Sequence, residues 1–320
     1  MTPNAGPRLR ADLHVHSYHS GYASHLRFLK TRDCYSHPED VYRVAKARGM
    51  DLVCLTDHDS IDGCLEFLER HPDAPDFIMG EEVECTLPAR TRGERTAPSI
   101  RIHVGVLGIT ERIHRELQPL RRNVFELVDY LRQQDVFFAL NHLFFFFDGR
   151  TPTMSYVDAL VPVFPALETR NGAMSRTHNL LIEEIAASRR VPRVGGSDAH
   201  TLAHVGRTWT EAPATTRDTF LAALKAGNAT VGGSHGSAAR MAAEIYSVIG
   251  SYWLGLLGLH RHDLSAADRL VGAAFSVVSL PVQFIPAIVA AVQKARERST
   301  VGRARHEWDA TPGHPEPVES

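Results

Sequence analysis

The sequence predicts an α/β fold built on a parallel sheet that is either open or closed into a barrel. Short apolar runs typical of strands alternate with helical stretches over most of the chain, and this alternation is typical of parallel sheets covered by helices. Ionisable residues follow one predicted strand after another, which is where α/β folds carry their active groups. With 320 residues, of which 43% are hydrophobic and 22% charged, the chain can bury a sizeable core.

Seven strands and five helices are predicted in chain order. The strands cover residues 10–16, 51–56, 77–83, 100–108, 136–141, 166–169 and 194–197. The helices cover residues 38–48, 62–70, 111–134, 175–190 and 216–226. Pro38, followed by two acidic residues, suits the first turn of a helix, and Gly49 suits its end.

Charge and cysteine content exclude several classes of protein. The formal net charge is −2, from 35 basic and 37 acidic residues, so strong binding to duplex nucleic acid is not expected. The four cysteines form no CxxC pair and the N-terminus lacks an apolar leader, so a reducing, cytoplasmic location is predicted. Histidine stands out, with 18 copies.

Three short motifs contain metal-ligating side chains. In DLHVH, His14 and His16 are two residues apart and project to the same side of a strand, so they can chelate one cation, while Asp12 could orient an imidazole from behind. TDHD at 56–59 and SDAH at 197–200 repeat this character. Considered alone, TDHD and SDAH could each form a turn or a helix cap instead of a metal site.

Taken together and in this order, the motifs resemble those of the PHP family, named for polymerase and histidinol phosphatase. They read DLHVHS at 12–17, TDHD at 56–59, GEEVE at 80–84, IHVGVLG at 102–108, NH at 141–142 and SDAH at 197–200. The resemblance covers residues 10–235. It implies a distorted seven-stranded β/α barrel that holds two or three divalent metal ions.

The resemblance also implies a ligand set. The first metal would be held by His14, His16, Glu82 and Asp198; Glu82 would bridge to a second, bound also by His103 and His142; His58 and His200 would serve a third. Glu81 and Glu84 remain rivals to Glu82. Several imidazoles with a bridging carboxylate suit zinc, manganese or iron better than magnesium or calcium.

One departure from the family leaves the number of metals at two or three. Many members carry a further ligand shortly after the HxH motif, but here Gly21 and Tyr22 occupy those places. His19 is a candidate substitute, and a solvated loop residue otherwise.

The expected activity is that of a phosphoesterase or phosphatase acting on a small phosphorylated metabolite or nucleotide through metal-activated water. Asp57 and His200 are candidate acids for the leaving group, although a metal-bound His200 could not serve. Arg170 and Arg207 are candidate cations for the phosphate oxygens. Two alternatives stay open: a metal-dependent amidohydrolase or deaminase, and a barrel that binds metal without catalysis.

The chain changes character after the predicted barrel, which spans residues 1–235. Residues 236–305 are predicted to form a hydrophobic helical extension and residues 306–320 a disordered tail. Within the extension, 270–292 is long enough to cross a bilayer. However, Pro281 and Pro286 would break a single helix, which favours packing or peripheral attachment over a span. Through residues 245–292 the protein could contact a membrane, aided by the basic residues that follow, or form a homo-oligomer.

Overall fold

Nine strands form one mixed sheet that curls into a nearly closed barrel. The structure is a computed structural model that describes residues 6–23, 27–92, 95–97, 99–145, 154–259 and 264–310. The strands described are β1 (Arg8–Asp12), β2 (Leu52–Leu55), β3 (Phe77–Leu87), β4 (Arg90–Arg92), β5 (Arg95–Ala97), β6 (Ile100–Leu107), β7 (Phe137–Leu140), β8 (Leu167–Asn171), β9 (Arg193–Gly196), β10 (Thr208–Pro213) and β11 (Thr230–Gly233). The order in the large sheet is β11-β10-β1-β2-β3-β6-β7-β8-β9, and β4 pairs with β5 apart from it.

Helices follow most of the strands, as the alternation in the sequence predicts. They are α1 (Pro38–Ala47), α2 (Asp62–Arg70), α3 (Glu111–Leu117), α4 (Val124–Gln133), α5 (Met154–Leu160), α6 (Arg176–Arg189), α7 (Arg217–Lys225), α8 (Ala238–Leu256), α9 (Ala266–Ser279) and α10 (Ile285–Asp309). The helix predicted over residues 111–134 is divided into α3 and α4 by a 3₁₀ turn, Gln118–Arg122, which contains a proline. Asn123 then starts α4, because its side chain accepts a hydrogen bond from the Phe125 backbone N–H.

The predicted α/β barrel is confirmed, but two details of the sheet differ. It has nine strands instead of seven, because β10 and β11 join it beside β1, antiparallel to their neighbours. The sequence TVGG of β11 is too rich in glycine to predict a strand. The sheet is also mixed: β6 runs antiparallel to both β3 and β7. The chain returns from β3 to β6 without an intervening helix, and strands joined in this way pair antiparallel.

The barrel closes through contacts near the C-terminal ends of β1 and β9. Val15 forms a parallel bridge to Ala199, and the Gly195 backbone N–H donates to Thr210 Oγ1 at 2.7 Å. These contacts bring the segment after β9 beside the segment after β1. The polar motifs that follow the two strands therefore meet at one mouth of the barrel.

The C-terminal helices pack against this barrel. Lys294 of α10 is only 3% exposed and donates to the Ala173 carbonyl oxygen at 2.6 Å. Trp308, near the end of α10, is also buried. The helix therefore continues to Asp309, which corrects the prediction that the disordered tail begins at residue 306. Residues 311–320 lie outside the described residues.

Among the described residues, no single helix has both the length and the apolar character needed to cross a membrane. Residues 266–282 and 285–309 meet that requirement only as a pair, and the two segments are bent by 71° at the break between them. The break falls in the segment with Pro281 and Pro286, where the sequence predicts it.

Candidate metal centre

The structure brings all eight predicted metal ligands together at the mouth of the barrel. They form four overlapping groups of three, and within each group the ligand atoms lie within 4.8 Å of one another. The groups are His16–His58–His200, His14–His142–Asp198, His14–His16–Glu82 and His58–Glu82–His103. These side chains come from segments spread over nearly 190 residues, so only the barrel topology places them in contact.

Glu82 on β3 lies at the centre of the cluster, and its two carboxylate oxygens serve different sets of imidazoles. Three ring nitrogens lie near Oε1: His14 Nε2 at 3.1 Å, His103 Nδ1 at 3.2 Å and His142 Nε2 at 3.0 Å. On the other side, His58 Nδ1 lies 3.0 Å from Oε2. Asn141 also donates to Oε1 at 2.9 Å and so fixes the rotamer of the carboxylate. A carboxylate shared in this way is suited to bridge two cations.

The alternation of side chains along β3 distinguishes Glu82 from its two rivals. Glu81 points to the opposite face of the strand, where it contacts His114 Nδ1 at 3.0 Å. Glu84 lies on the same face as Glu82 but near its edge, 3.9 Å from His103 Nε2, and Arg101 binds it at 3.1 Å. Of the three glutamates, Glu82 lies deepest in the cluster.

Asp198 approaches the same histidines from β9. Its Oδ1 lies 3.5 Å from His14 Nε2 and 3.4 Å from His16 Nε2. Asp198 adopts a left-handed backbone conformation, with φ of 52°, which a non-glycine residue rarely adopts without a local reason. Gly196, two residues earlier, allows the close approach of the strands, because a Cβ there would lie 2.5 Å from the His14 backbone nitrogen.

A second layer of polar residues orients these ligands. Glu168 on β8 accepts from His14 Nδ1 at 2.9 Å, which leaves His14 Nε2 directed into the cluster. Asn171 donates to both Glu168 and Asp198, at 2.9 and 3.1 Å. The orienting role predicted for Asp12 is wrong: its carboxylate accepts from the backbone N–H groups of Ser197 and Gly206, each at 2.7 Å. Asp12 therefore ties the β1 and β9 segments together.

A carboxylate that the sequence analysis missed, that of Asp33, lies beside His58 and His200. Asp33 Oδ2 lies 3.1 Å from His200 Nε2 and 3.4 Å from His58 Nε2. By contrast, His19, the predicted substitute, turns to Glu66 at 2.9 Å. Asp33 thus occupies the place left open at Gly21 and Tyr22. The signal was a carboxylate a dozen residues further along the same loop, where no fixed spacing pointed to it.

Asp33 yields a direct prediction about the number of metals. Replacing Asp33 with asparagine removes an anionic ligand and is expected to weaken one site only, by about 10- to 100-fold in affinity. The equally polar His19→Gln is the matched control and is expected to leave all sites intact. Metal titration followed by calorimetry measures both variants. If Asp33→Asn binds the full complement with unchanged affinity, Asp33 is not a ligand.

Burial and mutual charge set the protonation of the cluster. Burial acts to raise the pKa of Glu82, but positive charge on His14 and His103 outweighs it and holds that pKa well below the usual range. The same balance, with His14 as the main cation, holds the pKa of Asp198 well below its usual range. Burial, together with like charge on His200, lowers the pKa of His16. The cluster therefore offers ionised carboxylates and a neutral imidazole, which are the forms that bind metal.

The cluster fits divalent metal ions. Three of its buried ligand atoms, His14 Nε2, His16 Nε2 and Glu82 Oε2, contact other ligands of the cluster at 3.0–3.6 Å but form no hydrogen bond of good geometry among the described residues. Buried polar atoms without a well-formed hydrogen bond are costly, and here they converge. Imidazoles and carboxylates in this number form a donor set for more than one ion.

The predicted catalytic residues lie around this cluster with different partners. Asp57 is buried and accepts from Ser17 N and Ser20 Oγ at 2.6 and 2.7 Å, so it braces the loop that follows His16. Arg170 faces Glu183 of α6 at 4.0 Å. Arg207 donates to the Ala203 carbonyl oxygen at 2.8 Å. The catalytic roles of these residues stay predictions.

A different arginine lies closer to the metal ligands. Arg240, in the first turn of α8, donates through Nη2 to the Ser197 carbonyl oxygen at 3.0 Å, next to Asp198. Its side chain is 9% exposed, and its Nε and Nη1 have no hydrogen-bond partner in the described part of the chain. The sequence analysis missed Arg240, because residue 240 lies beyond the motifs.

A family comparison bears on the same region. Residues 176–229 match the family model described as PHP-associated, and this stretch contains Asp198 and His200. The match covers 54 of the 320 residues and supports the resemblance in this part of the chain. The PHP resemblance predicted from the motifs is therefore confirmed.

The individual proteins that this chain matches are distant from it. An uncharacterized protein of Methanocaldococcus jannaschii is 32% identical over 79 residues, which make up 24% of this chain and 46% of that protein. The match thus spans less than half the length of that relative.

Among solved structures, a two-domain Bacteroides vulgatus protein described as containing a PHP-like metal-dependent phosphoesterase is 18% identical, with a TM-score of 0.49. The similarity covers 76% of this chain and 71% of that one. PsfC from Pseudomonas syringae is 19% identical, with a TM-score of 0.49, over 77% of this chain and 98% of its own.

Proposed function

We propose that this protein is a metal-dependent phosphoesterase that hydrolyses a phosphoester of a small metabolite or nucleotide. The observation that carries the proposal is the sharing of Glu82, whose two oxygens face separate sets of imidazoles within 3.2 Å. This arrangement suits two cations held side by side, as used for in-line displacement at phosphorus.

The residues divide into holding and orienting roles. His14, His16, Glu82 and Asp198 would hold one ion, His103 and His142 with Glu82 a second, and His58, His200 and Asp33 a third. Zinc, manganese or iron suits this set best. When bound, such ions polarise phosphoryl oxygens and activate water for attack at phosphorus. Glu168 and Asn171 keep the ligands in position.

His200 supplies a proton when the third site holds no ion. Burial lowers the pKa of His200, but the negative charge of Asp33 outweighs it and raises the pKa to about 9. This pKa, set by the protein's own charges, favours a protonated imidazole at neutral pH, which is the form that could donate to the leaving group. If an ion is bound in the third site, the His200 nitrogen would be a metal ligand, and another proton donor would be needed for the leaving group.

Arg240 is our candidate for binding the phosphate oxygens. Its two buried N–H positions have capacity for an anion, and a charge-assisted hydrogen bond is stronger than a neutral one. Arg240→Gln is expected to raise KM for the phosphorylated substrate about 10- to 100-fold, with a smaller effect on kcat. Arg207→Gln is the comparison variant, because the sequence analysis predicts Arg207 as a cation for the phosphate oxygens. A raised KM in Arg207→Gln alone would assign the role to Arg207.

Substrate panels test the reaction class. The purified, metal-loaded protein is assayed for phosphate release from nucleotides and sugar phosphates, and for ammonia or amine release from amides and amino-purines. Phosphate release supports the proposal, and ammonia or amine release alone supports an amidohydrolase or deaminase. Metal binding without turnover on either panel would leave a non-catalytic barrel and overturn the proposal.

A further inference from the structure

The C-terminal extension contains a long stretch without charge. Between Arg269 and Lys294, residues 270–293 include no aspartate, glutamate, lysine or arginine. In the structure this stretch forms most of α9, a 3₁₀ turn over Leu280–Val282 and the start of α10. Many of its large apolar side chains are exposed, including Leu270 at 73% and Val278 at 78%. Monomeric soluble proteins rarely expose apolar side chains in such a contiguous group.

The exposed arc of α9 is wide and wholly apolar. Its exposed positions are Ala266, Ala267, Leu270, Val271, Ala273, Ala274, Phe275, Val277 and Val278. At 3.6 residues per turn these positions cover about 200° of the helix surface. The remaining arc, with Gly272, Ser276 and Ser279, faces the protein, and the Gly272 position lies against Tyr252 of α8. One side of α9 is thus packed, and the other presents only hydrocarbon.

The first half of α10 continues this surface and adds positive charge further along. Ile285, Ile288 and Val292 are exposed and lie on one face of the helix at spacings of three and four. Arg296 and Arg303, both exposed, continue the same face. At 1.5 Å per residue they lie about 6 and 16 Å beyond Val292. The face therefore changes from apolar to basic along the axis.

We propose that this surface, α9 with the first half of α10, inserts into the interfacial layer of a membrane that contains anionic lipids. The lipid phase can cover a 200° arc, whereas a single neighbouring protein surface covers one side of a helix. Arg296 and Arg303 are placed for lipid phosphates, and such charges strengthen binding to anionic surfaces. The packed inner arc of α9 and the 71° bend at the break suit insertion from one side, without crossing.

Vesicle flotation of the full chain tests the proposal. The probes are vesicles of phosphatidylcholine alone and vesicles that also contain phosphatidylglycerol. The protein is expected to float with both and more strongly with the anionic vesicles. Val278→Asp and Ile288→Asp are each expected to reduce binding at least ~10-fold, because a charge at these depths must be desolvated. Arg296→Glu is expected to reduce binding several-fold, on anionic vesicles only.

Controls separate this surface from the metal centre and from self-association. Leu180→Asp is the matched control, because Leu180 is an exposed apolar residue of α6 at 37% outside the surface, and its flotation should equal that of the parent. Any hydrolytic activity that the parent shows on a water-soluble substrate should be unchanged in Val278→Asp, so this control does not depend on the proposed phosphoesterase function. Failure of the parent to float with either vesicle would overturn the proposal. If the parent does not float but sediments as a dimer, and Val278→Asp sediments as a monomer, the surface is an interface with a second copy of the chain instead.

Discussion

Replacing Glu82 with glutamine is expected to lower kcat/KM for phosphoester hydrolysis by at least ~10³-fold. The carboxylate lies within 3.2 Å of four imidazole nitrogens, and the amide would keep its shape while removing the charge that two cations share. Transition-state stabilisation by metal is worth several kcal/mol, and each 1.36 kcal/mol corresponds to a factor of ten. Steady-state kinetics at saturating metal measures the loss.

Glu81→Gln is the matched control for that variant. Glu81 is the adjacent residue and is equally buried, but its carboxylate contacts His114 on the other face of β3. This variant is expected to keep its activity, with circular dichroism used to show that both proteins are folded. Comparable losses in Glu81→Gln and Glu82→Gln would mean that the strand, and not the bridging carboxylate, accounts for the effect.

Removing metal with a chelator is expected to lower Tm by roughly 5–10 °C and to abolish turnover. Ligand at about 100 times its Kd stabilises the folded state by about 2.7 kcal/mol, and about 1 kcal/mol shifts Tm by roughly 2–4 °C in a domain of this order of size. Without metal, buried atoms such as His14 Nε2 and Glu82 Oε2 are left without a well-formed hydrogen bond, which adds to the loss. Differential scanning calorimetry before and after chelation measures it.

Restoration by metal is the control for the chelator. Adding back zinc or manganese should recover both Tm and turnover, whereas magnesium should be less effective because the donor set is rich in imidazole. An unchanged Tm after complete removal of metal would contradict a structural contribution of the cluster.

Spacing and position along a strand predicted part of the centre, and the full ligand set was predicted from the resemblance to the PHP family. The HxH spacing places His14 and His16 on one side, and the strand-end rule places Asp198 beside them. Alternation along β3 puts Glu81 and Glu82 on opposite faces, but only the structure shows that the Glu82 face meets the histidines. These arguments use only residues close together in the sequence, so they hold without knowledge of the rest of the fold.

What could not be predicted depends on long-range packing. Asp33 reaches His58 and His200 only because the loop after β1 folds back over the mouth, and no periodicity encodes that return. Arg240 enters from a helix that the motifs do not include. The strand β11 was missed because two of its four residues are glycine, so pairing with β10 rather than local propensity forms it. The strand β10 was missed as well, and it pairs with β1.

The metal content of the chain, measured by mass spectrometry of elements on protein purified without chelator, tests the central idea most directly. We expect two or three divalent ions per chain in the parent protein, fewer in Asp33→Asn, and almost none in Glu82→Gln or His14→Ala. Metal at background level in folded parent protein, after incubation with zinc and manganese, would contradict the whole account.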